Sequence, residues 1–405
     1  MARLLSINNY YYRRGGAEVV CLEAARLLEA CGWEIIPFAM HHFENFTTPW
    51  SAYFVDEIEY GENYSLSEKL ARVPKVIYSR EARTKIRRLV HDTQPDIAHA
   101  HNIYHHISPS ILGALKSEGI PIALTLHDLK LACPAYKMLA PDGICERCNK
   151  GRIWNLLRHK CVKSSFALSA VIALETVVHR LLRLYERHVG RFVVPSRFYL
   201  EKFVQWGWDR DRFAYIPNFV NVDRFNADYS PGDGFVYAGR LGPEKGLQTL
   251  VRAAALASVR LRVIGTGPEE PFLRALSAET GADVEFLGYR TGEALHAAIQ
   301  ASRALVLPSE WYENAPISVL EAYALGRPVL GAQIGGIPEL IKPGETGATF
   351  ESGDVEALAE VLRLLSDLKP GLTAEMGRAG RLWVEEEFSA SRHRDNLISL
   401  YTELR

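Results

Sequence analysis

Short apolar runs alternate with stretches of helical periodicity from one end of this chain to the other, and nothing else in it limits the fold so strongly. In the first half the runs cover residues 3–8, 34–40, 96–101, 120–126 and 192–195; in the second half they cover 235–238, 261–264, 284–287, 304–307 and 329–331. Runs this short and this apolar read as strands buried on both faces, and helices between them return the chain so that the strands lie parallel. The two series meet between residues 195 and 221. They predict an α/β fold of two Rossmann-like domains facing across a cleft, at 1–195 and 196–385. The chain's 405 residues suit two cores of about 200 each. Residues 389–405 carry Leu397, Ile398, Leu400, Tyr401 and Leu404 and read as an amphipathic helix.

Charge is balanced overall, with a formal net of −1, so nothing global calls for nucleic acid. The halves differ. Residues 1–190 hold 24 Lys and Arg against 19 Asp and Glu, and the remainder holds 23 against 29. A basic first half suits an anionic partner such as a membrane surface, or is plain solvated surface. Met1-Ala2-Arg3 leads at once into a strand pattern, with no secretory-type start. The uncharged stretch 164–174 is far short of the roughly 20 residues that cross a bilayer. The expectation is a cytoplasmic protein, free or peripheral on the inner face of the membrane.

Two segments carry most of the chemistry. The first, residues 312–330, follows an apolar strand at 304–307 that runs through a Pro-Ser turn into a polar loop, 310–314, and a helix starts near Pro316. The amides of a first helical turn lack intrahelical acceptors and sit at the positive end of the helix dipole, so they bind anions, phosphate above all. Glu313 ends the loop, and Glu321 lies eight residues on, inside the helix. A carboxylate on each side of a phosphate site suits sugar hydroxyls; Asn314, Ala315, Pro316 and Ile317 form the turn between. The second segment, 235–247, is a buried-type strand ending at Gly239, followed by Arg240 and Lys245. Arg bridges phosphate oxygens with two donors and Lys acts as a mobile point charge.

With these residues the chain resembles the retaining glycosyltransferases of GT-B fold, the large family four (glycosyl transferases group 1) that includes sucrose synthase and bacterial mannosyl- and glucosyltransferases. Further carriers are Gly15-Gly16-Ala17-Glu18, Thr125-Leu126-His127-Asp128, Val194-Pro195-Ser196, Ile216-Pro217-Asn218, Gly239-Arg240 with Glu244-Lys245-Gly246, Gly265-Thr266-Gly267-Pro268 and Gly335-Gly336. None decides alone, but their order and spacing together are specific, and they span nearly the whole chain. The resemblance implies a C-terminal helix, about 386–405, crossing back to the first domain. It implies transfer of a sugar from a nucleoside-diphosphate sugar of UDP or GDP type to a saccharide or lipid-linked saccharide acceptor, in bacterial surface-polysaccharide synthesis.

Within that frame His127 ends a strongly apolar strand, where ligands of open α/β sheets collect, and the family motif sets it against the donor sugar. Retention implies either a double displacement or a same-face reaction in which the leaving diphosphate takes the acceptor proton; the resemblance favours the second, with His127 orienting rather than acting as base. Gly15-Gly16, after the first strand, lets backbone approach a ligand closely. Gly265 lies in a turn beneath the nucleotide, and by resemblance the segment with Tyr289 and Arg290 reads the base. The expected catalytic set is therefore His127, Glu313, Arg240 and Lys245. Arg240, Lys245 and helix amides handle the donor charge, so no catalytic divalent metal is expected. Two rivals share the cleft: a sugar-nucleotide epimerase of GT-B architecture and an inactive nucleotide-sugar-binding scaffold.

Two features lie outside the cleft. Cys133, Cys145, Cys148 and Cys161 fall in one irregular segment with intervals of eleven, two and twelve residues. That pattern matches a structural zinc site, with His159 as a spare ligand. Residues 79–91 and 168–191 pair basic with apolar side chains at helical spacing; each reads as a membrane-facing stripe or as a packed helix with a solvated face.

Overall fold

The computed structural model describes residues 1–57 and 73–405. In chain order its strands are β1 (Arg3–Ile7), β2 (Glu34–Phe38), β3 (Ile97–Ala100), β4 (Ile122–Thr125), β5 (Leu139–Ala140), β6 (Gly143–Ile144), β7 (Arg191–Val194), β8 (Phe213–Tyr215), β9 (Phe235–Ala238), β10 (Leu261–Ile264), β11 (Val284–Gly288), β12 (Ala304–Leu307), β13 (Val329–Ala332) and β14 (Gly347–Phe350). Among the described residues they form two six-stranded sheets and one short hairpin. The first sheet has the order β2-β1-β3-β4-β7-β8 and the second β11-β10-β9-β12-β13-β14. Every pairing within both is parallel.

All ten strands read from the sequence are present, with ends shifted by two residues or fewer. Two edge strands escaped that reading. Phe213–Tyr215 has only three half-buried residues, and Gly347–Phe350 opens on a glycine behind a Pro-Gly turn. The first domain extends beyond the expected boundary at residue 195. Phe213–Tyr215 pairs with β7, and Tyr199 and Phe203 pack into the first core, so the first sheet runs past residue 195 to Tyr215.

Both sheets reverse their strand order once. In the first, β1 is followed by β2 on one side and β3 on the other; in the second, β9 is followed by β10 on one side and β12 on the other. A crevice opens at such a switch point beyond the carboxyl ends of the strands, because the flanking loops leave in opposite directions. The helix Ala390–Leu404 lies on the first sheet: Leu397, Leu400 and Tyr401 pack with Leu4, Leu28, Ile97 and Val193. The preceding helix, Pro370–Glu387, packs on the second domain through Val384. The chain thus passes between domains twice, near Val220 and Ser389, and these residues bridge each other.

Candidate functional site

At the switch point of the second sheet, the loop after β9 meets the loop after β12. Gly246 makes this possible: it has φ +65°, and a side chain there would strike the Pro308 carbonyl. The close approach puts Lys245 Nζ 2.6 Å from Glu313 Oε1, which also accepts from Ser309 Oγ at 2.8 Å. The Lys245 ammonium stands 5.0 Å over the Trp311 ring. Arg240 pairs with the fully buried Glu244. Lys137, reaching from the first domain, bonds the other oxygen of Glu244 at 3.3 Å. Burial first, then Arg240 and Lys245, lower the pKa of Lys137, which places three cations in one neighbourhood. Against them stand the carboxylates of Glu244 and Glu313, with that of Glu310 beside Gly246 and bonded by Thr249 Oγ1 at 2.6 Å.

The helix Ile317–Ala324 begins beside this group. Its N-cap is Pro316, and no side chain caps its first turn. Its leading backbone is fixed from behind. A Cβ on Gly335 or Gly336 would collide with the backbone of Glu313 or Asn314, Gly336 N donates to Glu313 O at 2.8 Å, and Asn218 Nδ2 donates to Ala315 O at 2.7 Å. Asn314 ties the domains together. Its Nδ2 donates to Leu126 O at 3.1 Å and to His127 O at 3.4 Å, while its Oδ1 accepts from Ser196 Oγ at 2.8 Å.

On the facing side, His127 Nε2 lies 2.8 Å from His101 Nδ1, with the rings stacked. His101 in turn stacks on His99, which bonds Thr125 Oγ1 at 2.7 Å and the Tyr401 hydroxyl at 2.6 Å. Burial lowers the pKa of His127 to about 4 and that of His99 to about 3, and pushes His101 well down, so the row is neutral near pH 7. A neutral imidazole at a strand end can orient a sugar hydroxyl but carries no spare proton. The Gly15-Gly16 turn, after β1, faces the Ile317 helix: the Cβ position of Gly16 is 3.9 Å from Ile317 Cδ1. Burial raises Glu321 to about 7, opposed by Arg13 from the same first-domain loop. The two glycines, Arg13, Ile317 and Glu321 therefore meet across the cleft.

The remaining expected residues are placed less centrally. Gly265 has φ +127° and passes so close to the Gly239 carbonyl that no side chain fits. Tyr289 and Arg290 follow β11 at the sheet edge; Tyr289 is 74% exposed, and Arg290 Nε donates to Leu287 O at 3.0 Å. Of the cysteines, Cys133 and Cys148 are buried and Cys161 is exposed, and all four are free thiols. Burial first, then Cys133, Cys161 and Cys145, push the Cys148 thiol up to about 12, so the four share one neighbourhood. Among the described residues, however, no group of three or more His, Cys, Asp or Glu is gathered so as to hold a metal ion.

Sequence reasoning missed Lys137, Arg13, His99 and His101. The histidines had a signal: His-x-His at the end of β3 puts both rings on one face, and the parallel register of β3 with β4, continued past Ala100, brings His101 level with Thr125, two residues before His127 on the same face. Lys137 and Arg13 had none, because their roles depend on contacts across the cleft.

Comparison with known proteins extends the geometry. A family model described as Glycosyltransferase Family 4 matches residues 14–224, more than half of the chain, and one described as Glycosyl transferases group 1 matches 225–383. A Corynebacterium glutamicum GDP-mannose-dependent monoacylated alpha-(1-6)-phosphatidylinositol monomannoside mannosyltransferase is 32% identical over 51% of this chain and 61% of its own. An Escherichia coli K12 protein named as a putative colanic acid biosynthesis glycosyltransferase is 27% identical over 52% of this chain and 56% of its own. The matched stretches span 26% to 61% of the curated relatives' lengths. Among solved structures, a sucrose-phosphate synthase from Thermosynechococcus elongatus superposes with TM-score 0.75 at 20% identity, covering 100% of this chain and 99% of that one. An Anabaena protein in complex with UDP does so with TM-score 0.69 at 18% identity, covering both chains fully. The fold is GT-B.

Proposed function

Because the chain belongs to glycosyltransferase family 4, we propose that it moves a sugar from a nucleoside-diphosphate sugar to a saccharide or lipid-linked saccharide acceptor, with retention at the anomeric carbon. The observation that carries this reading is the gathering of Lys137, Arg240 and Lys245 beside the uncapped Ile317 helix, with Glu313 and Glu321 flanking that helix start. Cations and helix amides together suit a diphosphate, and carboxylates suit sugar hydroxyls. Stabilising the leaving diphosphate in this way is electrostatic work that needs no divalent metal.

In the same-face route, the bond from the anomeric carbon to the diphosphate oxygen breaks and the bond to the acceptor oxygen forms on the same side. The acceptor's proton passes to the departing diphosphate. Arg240 and Lys245 neutralise that charge as it develops. His127, held by His101, orients the sugar. The UDP complex of the Anabaena protein and the GDP-mannose dependence named for the Corynebacterium relative support a UDP- or GDP-type donor.

The test is a melting and turnover screen against UDP-, GDP- and ADP-sugars without added metal. The expected result is a raised melting temperature with one nucleotide series and slow release of its nucleoside diphosphate. Epimerised donor with nothing released would replace the transferase reading with an epimerase. No response to any donor would remove it.

A further inference from the structure

The helix Phe166–Leu181 is inverted. Its packed side carries Ser169, Glu175, Thr176 and His179, all buried, while its solvent side carries Phe166, Leu168, Leu174, Val177 and Leu181, followed by Leu182. Leu174, Val177 and Leu181 recur at steps of three and four and so form one stripe. Leu174 is 50% exposed, Phe166 59% and Leu181 75%. The other basic stretch behaves in the ordinary way: in the helix Arg80–Thr93, Ala82, Ile86, Leu89 and Val90 are buried and Arg80, Arg87 and Arg88 face water. The packed-helix reading therefore holds for 79–91 but fails for 168–191.

The polar side is anchored. Glu175 bonds Lys130 at 3.0 Å and His105 at 3.2 Å, and His179 Nε2 meets Ile77 O at 2.7 Å. Burial alone would raise Glu175, but His105 and Lys130 overcome it and hold the carboxyl at about 2. A helix fixed by a buried ion pair and buried polar contacts in this manner holds its apolar side outward.

Charge identifies what covers that side. Residues 147–187 contain nine Lys and Arg against two Asp and Glu, and one of those two acids is the buried Glu175. Lys160 and Lys163 are exposed just before the helix, and Arg183 and Arg187 just after it. Beside its carboxyl end lies a cavity of about 420 Å³ lined by Lys150, Arg180, Arg183 and Arg212 with Trp206 and Trp208; Glu186 and Asp209 also reach it. A second copy of the chain would set these basic ends against their own kind. Among the described residues no helix is long and apolar enough to cross a membrane.

We propose that Phe166–Leu181 is an interfacial helix that lays Leu174, Val177 and Leu181 into an anionic lipid surface, with Lys160, Lys163, Arg183 and Arg187 on the headgroups. Apolar burial and attraction to anionic lipid together set the strength of such binding. Lys130, which anchors Glu175, lies three residues beyond His127, so the docking face and the cleft share one buried framework.

The test is co-sedimentation of the full chain with phosphatidylcholine vesicles, with and without phosphatidylglycerol. The expected result is binding only with phosphatidylglycerol, weakened by salt. A Leu174→Asp/Leu181→Asp variant with an unchanged melting temperature should bind at least about tenfold more weakly while releasing nucleotide from donor sugar as the parent does. No binding at low salt, or equal binding by the variant, overturns the proposal. So does a parent that sediments as a dimer which the variant dissociates, since the stripe would then face a second copy. Vesicle binding is read without sugar transfer, so its failure is separable from failure of the transferase reading.

Discussion

Lys245 and Glu313 lie 68 residues apart in sequence and 2.6 Å apart in space. One ends the loop after β9 and the other ends the loop after β12, the two strands that flank the switch point of the second sheet. The pair is largely shielded from water, with the two side chains 18% and 10% exposed. Lys245→Ala and Glu313→Ala should each lower donor turnover at least tenfold, about 1.4 kcal/mol of barrier. Lys245→Ala also strands the buried Glu313 carboxylate. The double variant should therefore lose clearly less than the sum of the two single losses, as a double-mutant cycle on kcat/KM would reveal. Unchanged turnover in both single variants would remove the assigned site.

Asn314 holds the Leu126 carbonyl and the Ser196 hydroxyl at once, and so joins both domains at the His127 strand end. Asn314→Ala removes the side-chain donor to the Leu126 carbonyl and the acceptor of the Ser196 hydroxyl, which keeps only its bond from Tyr199 N, and should destabilise the contact between the domains by about 1–3 kcal/mol. Lower melting temperature together with a raised KM for donor is the expected pair of results. A variant as stable and as active as the parent would show that the clamp contributes nothing.

The row His99, His101 and His127 sets an acid limit. Burial depresses all three, so below about pH 6.5 the unfolded chain binds protons that the folded chain refuses. Stability is full above that value and falls as pH drops from about 6.5 toward 4, at up to about 1.4 kcal/mol per pH unit for each such group. Melting temperature against pH should show this fall, and His127→Gln should make it shallower.

Glu321 works in the opposite sense. Burial lifts its folded pKa to about 7, above the unfolded value, so the folded state favours the protonated acid. Its contribution is present below about pH 4.3 and is lost as pH rises through about 7. Glu321→Gln should flatten that loss and melt higher than the parent above pH 7, by about 1 kcal/mol or more. If the carboxylate also binds the donor sugar, KM should rise in the same variant; a change in melting without a change in KM would assign Glu321 to structure alone.

We propose that Cys133, Cys145, Cys148 and Cys161 take up a structural zinc. Their spacing and shared neighbourhood support this, although the four thiols are not drawn into ligand geometry. Purified protein should carry about one zinc per chain, and Cys148→Ser should lose it together with melting temperature. Metal-free protein of unaltered stability would dismiss the idea.

The family resemblance implied that the C-terminal helix crosses back to the first domain, whereas the sequence by itself determined the two parallel sheets, the amphipathic character of that helix and the loops that hold Arg240, Lys245, Glu313 and His127. Those features follow from local periodicity and from residue types suited to strand ends, both of which a linear chain displays. Tertiary structure alone decided the rest. Lys137 and Arg13 enter the cleft because the domains face each other, and no local pattern encodes that approach. Short edge strands such as Phe213–Tyr215 are held by neighbours rather than by their own propensity. The helix Phe166–Leu181 shows the limit most plainly: its periodicity gives an apolar side and a polar side, but a buried charge network decides which side meets the solvent.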